Sequence, residues 1–149
     1  MIHLTKKPML KRYHISKGKH RSTWFPKFFF TKKNYVKVHF VFTEDFFVDA
    51  GNQQINKIGG VSFGFNHHKN SFRVGWRTIN DIVEIIRYSY INGQRFEDVV
   101  YRLTKKDLGK SVSIKMNIAK KYGYFLFPYF GGKTKAPKNL SFLTSISFT

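Results

Sequence analysis

Residues 82–103 read IVEIIRYSYINGQRFEDVVYRL, two runs of mostly apolar and aromatic residues on either side of Asn92 and Gly93. Such β-branched and aromatic residues are typical of strands. The dipeptide Asn-Gly accepts the positive φ angles that both central positions of a type I′ turn require. The stretch therefore predicts a β-hairpin, and its β-branched residues argue against the amphipathic helix that 79–87 alone could form.

Alternation of apolar and polar residues extends the strand pattern in both directions from this hairpin. It is clear around Lys37 and His39, which alternate with valines and phenylalanines, as expected for a half-buried strand. In the same way Trp76 is predicted to face the core, whereas Arg73 and Arg77 are predicted to face solvent. The predicted strands lie at 35–42, 60–65, 71–77, 82–91, 94–103, 111–118, 122–127 and 140–148. Short strands joined by polar turns predict an all-β fold, specifically an antiparallel β-sandwich of the jelly-roll type.

Length and composition limit the class of protein. The chain has 149 residues, of which 42% are hydrophobic and 18% aromatic, so it can form one core and is too apolar to be a disordered tail. We find neither an apolar run of about 18 residues nor a secretory h-region, and therefore expect no membrane span and a cytoplasmic or virion location. The lack of cysteine excludes disulfides and thiolate chemistry.

The formal net charge of +19 is concentrated at the two ends of the sequence. Residues 1–38 contain eleven Lys and Arg and residues 108–149 contain seven, and neither segment contains an acid. The middle segment has nine bases and eight acids. We therefore expect the ends to contact nucleic acid or another polyanion, the alternative being a solvated basic surface with no dedicated partner.

The first 33 residues show no sustained apolar period. We predict a basic, aromatic-rich N-terminal arm at 1–33 followed by a sandwich domain at 34–149. The aromatic cluster of the arm is too apolar to remain in water, and we expect subunit contacts from Trp24, Phe25, Phe28 and Phe30. Polyanion contacts are expected from bases of both ends, namely Lys11, Arg12, Lys17, Lys19, Arg21, Lys133 and Lys135.

Two segments resemble jelly-roll modules of the concanavalin A-like lectin and glucanase kind. They are 124–148, YFLFPYFGGKTKAPKNLSFLTSISF, and 67–77, HHKNSFRVGWR. In that family an aromatic-rich strand leads through a glycine-containing loop to a final strand near the N-terminal one. The corresponding positions here are Tyr124, Pro128, Tyr129, Phe130, Gly131, Gly132, Ala136 and Pro137, with 140–148 as the closing strand. The resemblance implies a jelly-roll fold.

Enzymatic activity is not expected. Glucanases of this kind carry acids in a Glu-x-Asp-x-x-Glu pattern for retaining hydrolysis, and the spacing of Glu84, Glu97 and Asp98 does not match it. We expect no cofactor and no metal, because His67 and His68 have no Asp, Glu or Cys within ten residues.

The sequence favours a non-enzymatic binding or assembly module, such as a viral structural or accessory protein whose basic ends contact nucleic acid. We expect it to bind other protein subunits within a larger assembly. The alternative is a carbohydrate-binding or polysaccharide-lyase-type jelly roll acting on an anionic glycan. Its candidate residues are His68, Asn70, Arg73, Arg77 and Tyr88. An RNA-binding protein would share the basic ends but lacks a recognisable RNA-binding motif.

Overall fold

The alternating patterns form β-strands that pack as two sheets in a computed structural model, which describes residues 10–22, 27–30, 33–48, 54–62, 69–118, 123–127, 130–132 and 135–148. For 27–30 and 123–127 the description covers the backbone. The strands are β1 (Lys11–Ile15), β2 (Lys27–Phe30), β3 (Tyr35–Val41), β4 (Asn56–Ser62), β5 (Ser71–Ile79), β6 (Ile82–Ile91), β7 (Gln94–Leu103), β8 (Ser111–Asn117), β9 (Gly123–Phe127) and β10 (Leu140–Phe148). Within these residues the helical elements are two 3-10 turns, Glu44–Phe46 and Lys105–Asp107.

The strand order confirms the predicted antiparallel jelly-roll sandwich. One sheet has four strands in the order β1-β10-β3-β8, and the other has six in the order β2-β9-β4-β5-β6-β7. With the β6–β7 hairpin set aside, the remaining eight strands form two four-stranded sheets between which the chain passes repeatedly, as in a jelly roll. The hairpin extends the larger sheet beyond this eight-stranded unit.

The core lies between the two sheets and contains a large aromatic cluster. The ring of Phe46 lies 5.1 Å from the rings of both Trp76 and Phe142, and Phe130 stacks on Phe142 at 4.4 Å. Trp76 is 2% exposed, and its indole Nε1 donates a hydrogen bond of 3.0 Å to the carbonyl oxygen of Phe46. The prediction that Trp76 packs in the core is therefore confirmed.

Both hairpins of the β5–β6–β7 meander turn through left-handed residues. Asn92 and Gly93 have φ of 52° and 82°, which confirms the predicted turn. A second pair, Asn80 and Asp81 with φ of 50° and 61°, joins β5 to β6. This turn lies between the strands predicted at 71–77 and 82–91, although its residues gave no specific turn signal.

The prediction of an arm over 1–33 is wrong for its described part. Strand β1 pairs with β10, with Tyr13 opposite Phe142, and strand β2 pairs with β9. Tyr13 and Ile15 are buried in the core, and burial raises the pKa of the Tyr13 hydroxyl. Residues 11–15 and 27–30 are therefore part of the sandwich, and residues 1–9 lie outside the described chain.

Candidate polyanion-binding site

The two basic segments of the sequence lie side by side at one end of the sandwich. The loop 16–22 follows β1, and the described residues 130–132 and 135–139 precede β10. Backbone hydrogen bonds of 2.8 Å join Gly18 N to Ala136 O and Ala136 N to Lys19 O. Because Ile15 is opposite Leu140 in the sheet, the chain leaving β1 and the chain entering β10 start out as neighbours. We call these two segments the paired loops.

Further contacts fix the other half of the paired loops. Gly132 N donates to His20 O at 2.9 Å, and Ser22 N donates to Phe130 O at 2.8 Å. The Ser22 hydroxyl in turn accepts a hydrogen bond from Phe130 N at 3.1 Å. Since the Phe130 ring is fully buried in the core, the paired loops are anchored to the sandwich on which they lie.

Two glycines allow this close approach. A Cβ built on Gly131 would lie 2.6 Å from the Arg21 Cβ, and one built on Gly132 would lie 2.1 Å from the Asn56 side-chain oxygen. Both distances are below van der Waals contact. A side chain at position 131 would push the paired loops apart, and one at position 132 would displace Asn56 of β4.

Four of the seven cationic side chains predicted for polyanion contact lie on the paired loops and are exposed there. They are Lys17, Lys19, Arg21 and Lys135. Lys133 lies outside the described residues. The structure adds Lys57, which the sequence did not single out, because its backbone N–H and carbonyl pair with Gly131 at 2.6 and 3.0 Å. No local pattern in the sequence indicates that β4 lies next to this loop.

Lys11 and Arg12, also predicted to contact a polyanion, are exposed on β1. The guanidinium of Arg12 donates to the Ser141 hydroxyl at 2.7 Å, and the Lys11 Nζ lies 5.3 Å from the centre of the Tyr13 ring. They lie on the four-stranded sheet, in the strand that leads into the loop 16–22.

Acidic side chains are largely segregated from the paired loops. Where the structure describes them, they are Glu44, Asp45, Asp81, Glu84, Glu97, Asp98 and Asp107. Of these, Asp45 is close to the segment 130–139, because its carboxylate lies 3.8 Å from Lys138 Nζ and accepts from Ser141 N at 2.8 Å. Four of the others lie on β6, β7 or the turn before them, and most are paired there with arginine.

The residues predicted for subunit contact lie mainly beyond what the structure describes. Trp24 and Phe25 are outside the described residues. For Phe28 and Phe30 the backbone is described, and it pairs in β2 with Phe125 and Gly123 of β9. Strand β2 is the outermost strand of its sheet among the described residues, a position that would allow contact with another subunit. Subunit contact by this segment stays a prediction.

The described members of the alternative glycan set do not form an accessible site. Arg73 is opposite Tyr88 on the outer face of the larger sheet, but they are only 8% and 4% exposed, so the prediction that Arg73 faces open solvent is wrong. Arg77 is paired with Glu84 at 2.8 Å. The side chain of Asn70 accepts from Asn92 N at 3.1 Å and supports a turn. His68 lies outside the described residues.

Similarity searches give no indication of family. Comparisons with protein-family models, with curated proteins and with solved structures each found no match. In the described ranges no three or more His, Cys, Asp or Glu residues are grouped as metal ligands. Nor does this part of the chain contain a helix that is long and apolar enough to span a membrane. The proposal of function therefore depends on the surface of the molecule.

Proposed function

We propose that the protein is a non-enzymatic nucleic-acid-binding module whose paired loops contact the phosphate backbone. One observation carries this proposal. The two acid-free, basic segments of the sequence are joined by backbone hydrogen bonds, so that Lys17, Lys19, Arg21 and Lys135 are exposed on one rigidly held surface. Duplex DNA suits such a surface because its phosphate charges are dense and regularly repeated, about one per 1.7 Å of helix axis.

The chemistry of these side chains favours phosphate over bases. Lysine and arginine supply most of the contacts that proteins make to phosphate oxygens, and such contacts carry no sequence information. Asp45 balances one cation at the edge of the surface, Lys138. Binding by the paired loops should therefore be sensitive to salt and insensitive to base sequence.

We further propose that the module works within a larger assembly, as viral structural and accessory proteins do. Jelly rolls are the fold of many viral capsid proteins and also of lectins, so the fold supports this class by analogy alone. Among the described strands β2 is outermost in its sheet, which adds support because edge strands offer backbone groups for pairing with another chain. Replacing Phe28 and Phe30 by Ser should reduce assembly in sedimentation velocity while the domain stays folded; unfolding of the whole domain would contradict this part of the proposal.

The glycan alternative is less well supported by the geometry. A lyase needs a cation and a proton-transferring group within reach of the substrate, whereas Arg73 and Tyr88 are buried and Arg77 is already bound to Glu84. If the protein cleaved an acidic polysaccharide and Arg73→Ala or Tyr88→Phe abolished that activity, the glycan alternative would be favoured over nucleic-acid binding.

The proposal is tested by the salt dependence of binding to a short fluorescent DNA duplex. Each phosphate contact contributes about −0.9 to the slope of log affinity against log salt concentration. Contacts from Lys17, Lys19 and Lys135 would therefore contribute about −2.7. The variant Lys17→Glu/Lys19→Glu/Lys135→Glu should flatten the slope by that amount. The control Lys69→Glu/Lys105→Glu/Lys106→Glu changes the net charge equally at exposed sites outside the paired loops.

Equal slopes for the two variants would mean that general charge, rather than the paired loops, drives binding. Failure of the unmodified protein to bind any nucleic acid at low salt would contradict the proposal as a whole.

A further inference from the structure

The outer face of the four-stranded sheet is a second basic surface. None of the strands β1, β3, β8 and β10 contains an acidic residue. Burial alternates along them, so that one set of side chains packs in the core and the other points away from it. The outward set contains the apolar Val41 and Leu143, and its other members are cationic, imidazole, hydroxyl and amide side chains. These are Arg12, His14, Tyr35, Lys37, His39, Ser111, Ser113, Lys115, Asn117, Ser141, Ser145 and Ser147.

Two lysines meet at the centre of one row of this face. The register of β3 with β8 places Lys37 directly opposite Lys115, and the register with β10 places Ser147 on the other side of Lys37. Like charges directly opposite each other destabilise a sheet pair. None of the ion pairs found in the described residues involves either lysine, and the Lys115 Nζ lies 4.2 Å from the centre of the Tyr35 ring. An anion bound beside the two opposite lysines would reduce the repulsion between their charges.

Hydroxyl and imidazole groups surround these cations in adjacent rows. His39 Nδ1 shares a hydrogen bond of 2.5 Å with the Ser113 hydroxyl, and both lie in the row next to the two lysines. Burial and the nearby charge of Lys37 lower the pKa of His39, which favours the neutral imidazole. Lysine, arginine, serine, asparagine and tyrosine are the side chains that contact phosphate and sugar in protein–DNA interfaces.

From this arrangement we infer that the outer face of the four-stranded sheet binds the backbone of a double-stranded nucleic acid. This inference rests on the proposed nucleic-acid function and extends it to a second surface and to the duplex form. Four strands spaced about 4.8 Å apart give a face roughly 14 Å wide. The major groove of B-DNA is about 12 Å wide, so phosphates on both of its sides are within the span of this face.

The side chains on the face favour a duplex over a single strand. Proteins that bind single strands combine basic grooves with aromatic rings on which bases stack. On the described part of this face the aromatic ring is Tyr35, and the Lys115 Nζ lies 4.2 Å from the centre of that ring. The remaining polar groups can bind phosphate but cannot stack. A duplex also presents about twice the charge of one strand per length of axis.

The face is continuous with the paired loops through β1. Arg12 and His14 point outward from this strand, and the chain then enters the loop that carries Lys17. Arg12 also donates to Ser141 on the neighbouring strand β10, so the rim of the face is held in place. One duplex could therefore contact the sheet face and the paired loops together.

The test compares binding of the full chain to a mixed-sequence DNA duplex and to one of its strands. In Lys37→Glu/Lys115→Glu the two opposite residues still carry equal charges, so the fold should be preserved; circular dichroism and thermal unfolding check this. We expect the duplex affinity to fall at least about tenfold at 0.1 M salt and the salt slope to become shallower by about 1.8, for two lost phosphates. Affinity for the single strand should change much less.

The control Lys69→Glu/Lys106→Glu makes the same change in net charge away from the face. A slope equal to that of the control would overturn the inference, and so would equal losses on duplex and single strand. Tighter binding of a sulfated glycan than of the duplex would also overturn it. The two proposals fail separately: if only the paired-loop variant flattens the slope, the sheet face is not a site, and if only the face variant does, the paired loops are not.

Discussion

The backbone N–H of Ala136 donates a 2.8 Å hydrogen bond to the carbonyl oxygen of Lys19. This contact joins the basic N-terminal part of the chain to its basic C-terminal part, which are far apart in sequence. It follows from the jelly-roll topology, because β1 and β10 are neighbours in the four-stranded sheet and their connecting loops leave from the same end. The topology thus converts two separate basic segments into one surface.

Replacing Gly131 by Ala should separate the paired loops. The added methyl group would lie 2.6 Å from the Arg21 Cβ and 3.1 Å from the Arg21 Cα and from His20 O. Overpacking of this kind costs about 1–3 kcal/mol in the free energy of unfolding, and it should also weaken binding to duplex DNA. Urea unfolding and fluorescence anisotropy measure the two effects. Unchanged stability and affinity would show that the paired loops have room to adjust.

Lys37→Glu should change stability and binding in opposite directions. Replacing a like-charge pair by an opposite-charge pair with Lys115 should increase the free energy of unfolding by about 0.2–1 kcal/mol. Affinity for duplex DNA should fall, because a phosphate contact is replaced by repulsion. Since the charge of Lys37 helps to lower the pKa of His39, that pKa should rise, as measured by NMR titration. Lys106→Glu should produce none of these changes, and a parallel loss of stability and affinity would argue for a purely structural role.

The stability of the protein should depend on His39 at mildly acidic pH. The pKa of His39 in the folded state lies below its ordinary value of 6.5, first through burial and then through Lys37. Between these two values the unfolded chain binds more protons, so stability is fully present above pH 6.5 and is lost as pH falls through the folded-state pKa. His39→Gln should reduce this slope in unfolding experiments at a series of pH values. An identical pH dependence in His39→Gln would rule out the contribution of His39.

Gly93→Val should destabilise the hairpin that extends the larger sheet. Gly93 has a φ of 82°, a left-handed conformation that costs about 1–2 kcal/mol for an L-residue. The control is Asn92→Gly, because glycine readily adopts the φ of 52° at this position. The free energy of unfolding should change far less in this control than in Gly93→Val. Chemical unfolding of both variants measures the difference. If Gly93→Val were as stable as the control, the turn geometry would be wrong.

Local turn chemistry explains which strands could be predicted. The dipeptide Asn92-Gly93 predicts its turn because glycine is the residue most tolerant of positive φ. The preceding turn uses Asn80 and Asp81, which are less specific, and it lies within a run that continues as apolar residues. The sequence of β1 does not indicate a strand, because its few apolar residues are flanked by bases, and its pairing with distant β10 makes it one.

The candidate site was predictable in its residues but not in its arrangement. Composition alone identified the bases at both ends of the chain, and the structure brings Lys19 and Lys135 onto adjacent segments. No local pattern indicates that Lys37 is opposite Lys115, since that depends on the register of β3 with β8. Contacts between residues distant in sequence are determined by the fold, and a single sequence does not display them.

Amide chemical-shift mapping during titration with a short DNA duplex shows directly where the duplex binds. We expect the shifted signals to include Gly18, Gly131 and Gly132 of the paired loops. The signals of Asn92 and Gly93, at the tip of the β6–β7 hairpin, should stay in place. Shifts concentrated on the hairpin, or saturating shifts that leave the paired loops unchanged, would contradict the assignment of nucleic-acid binding to this surface.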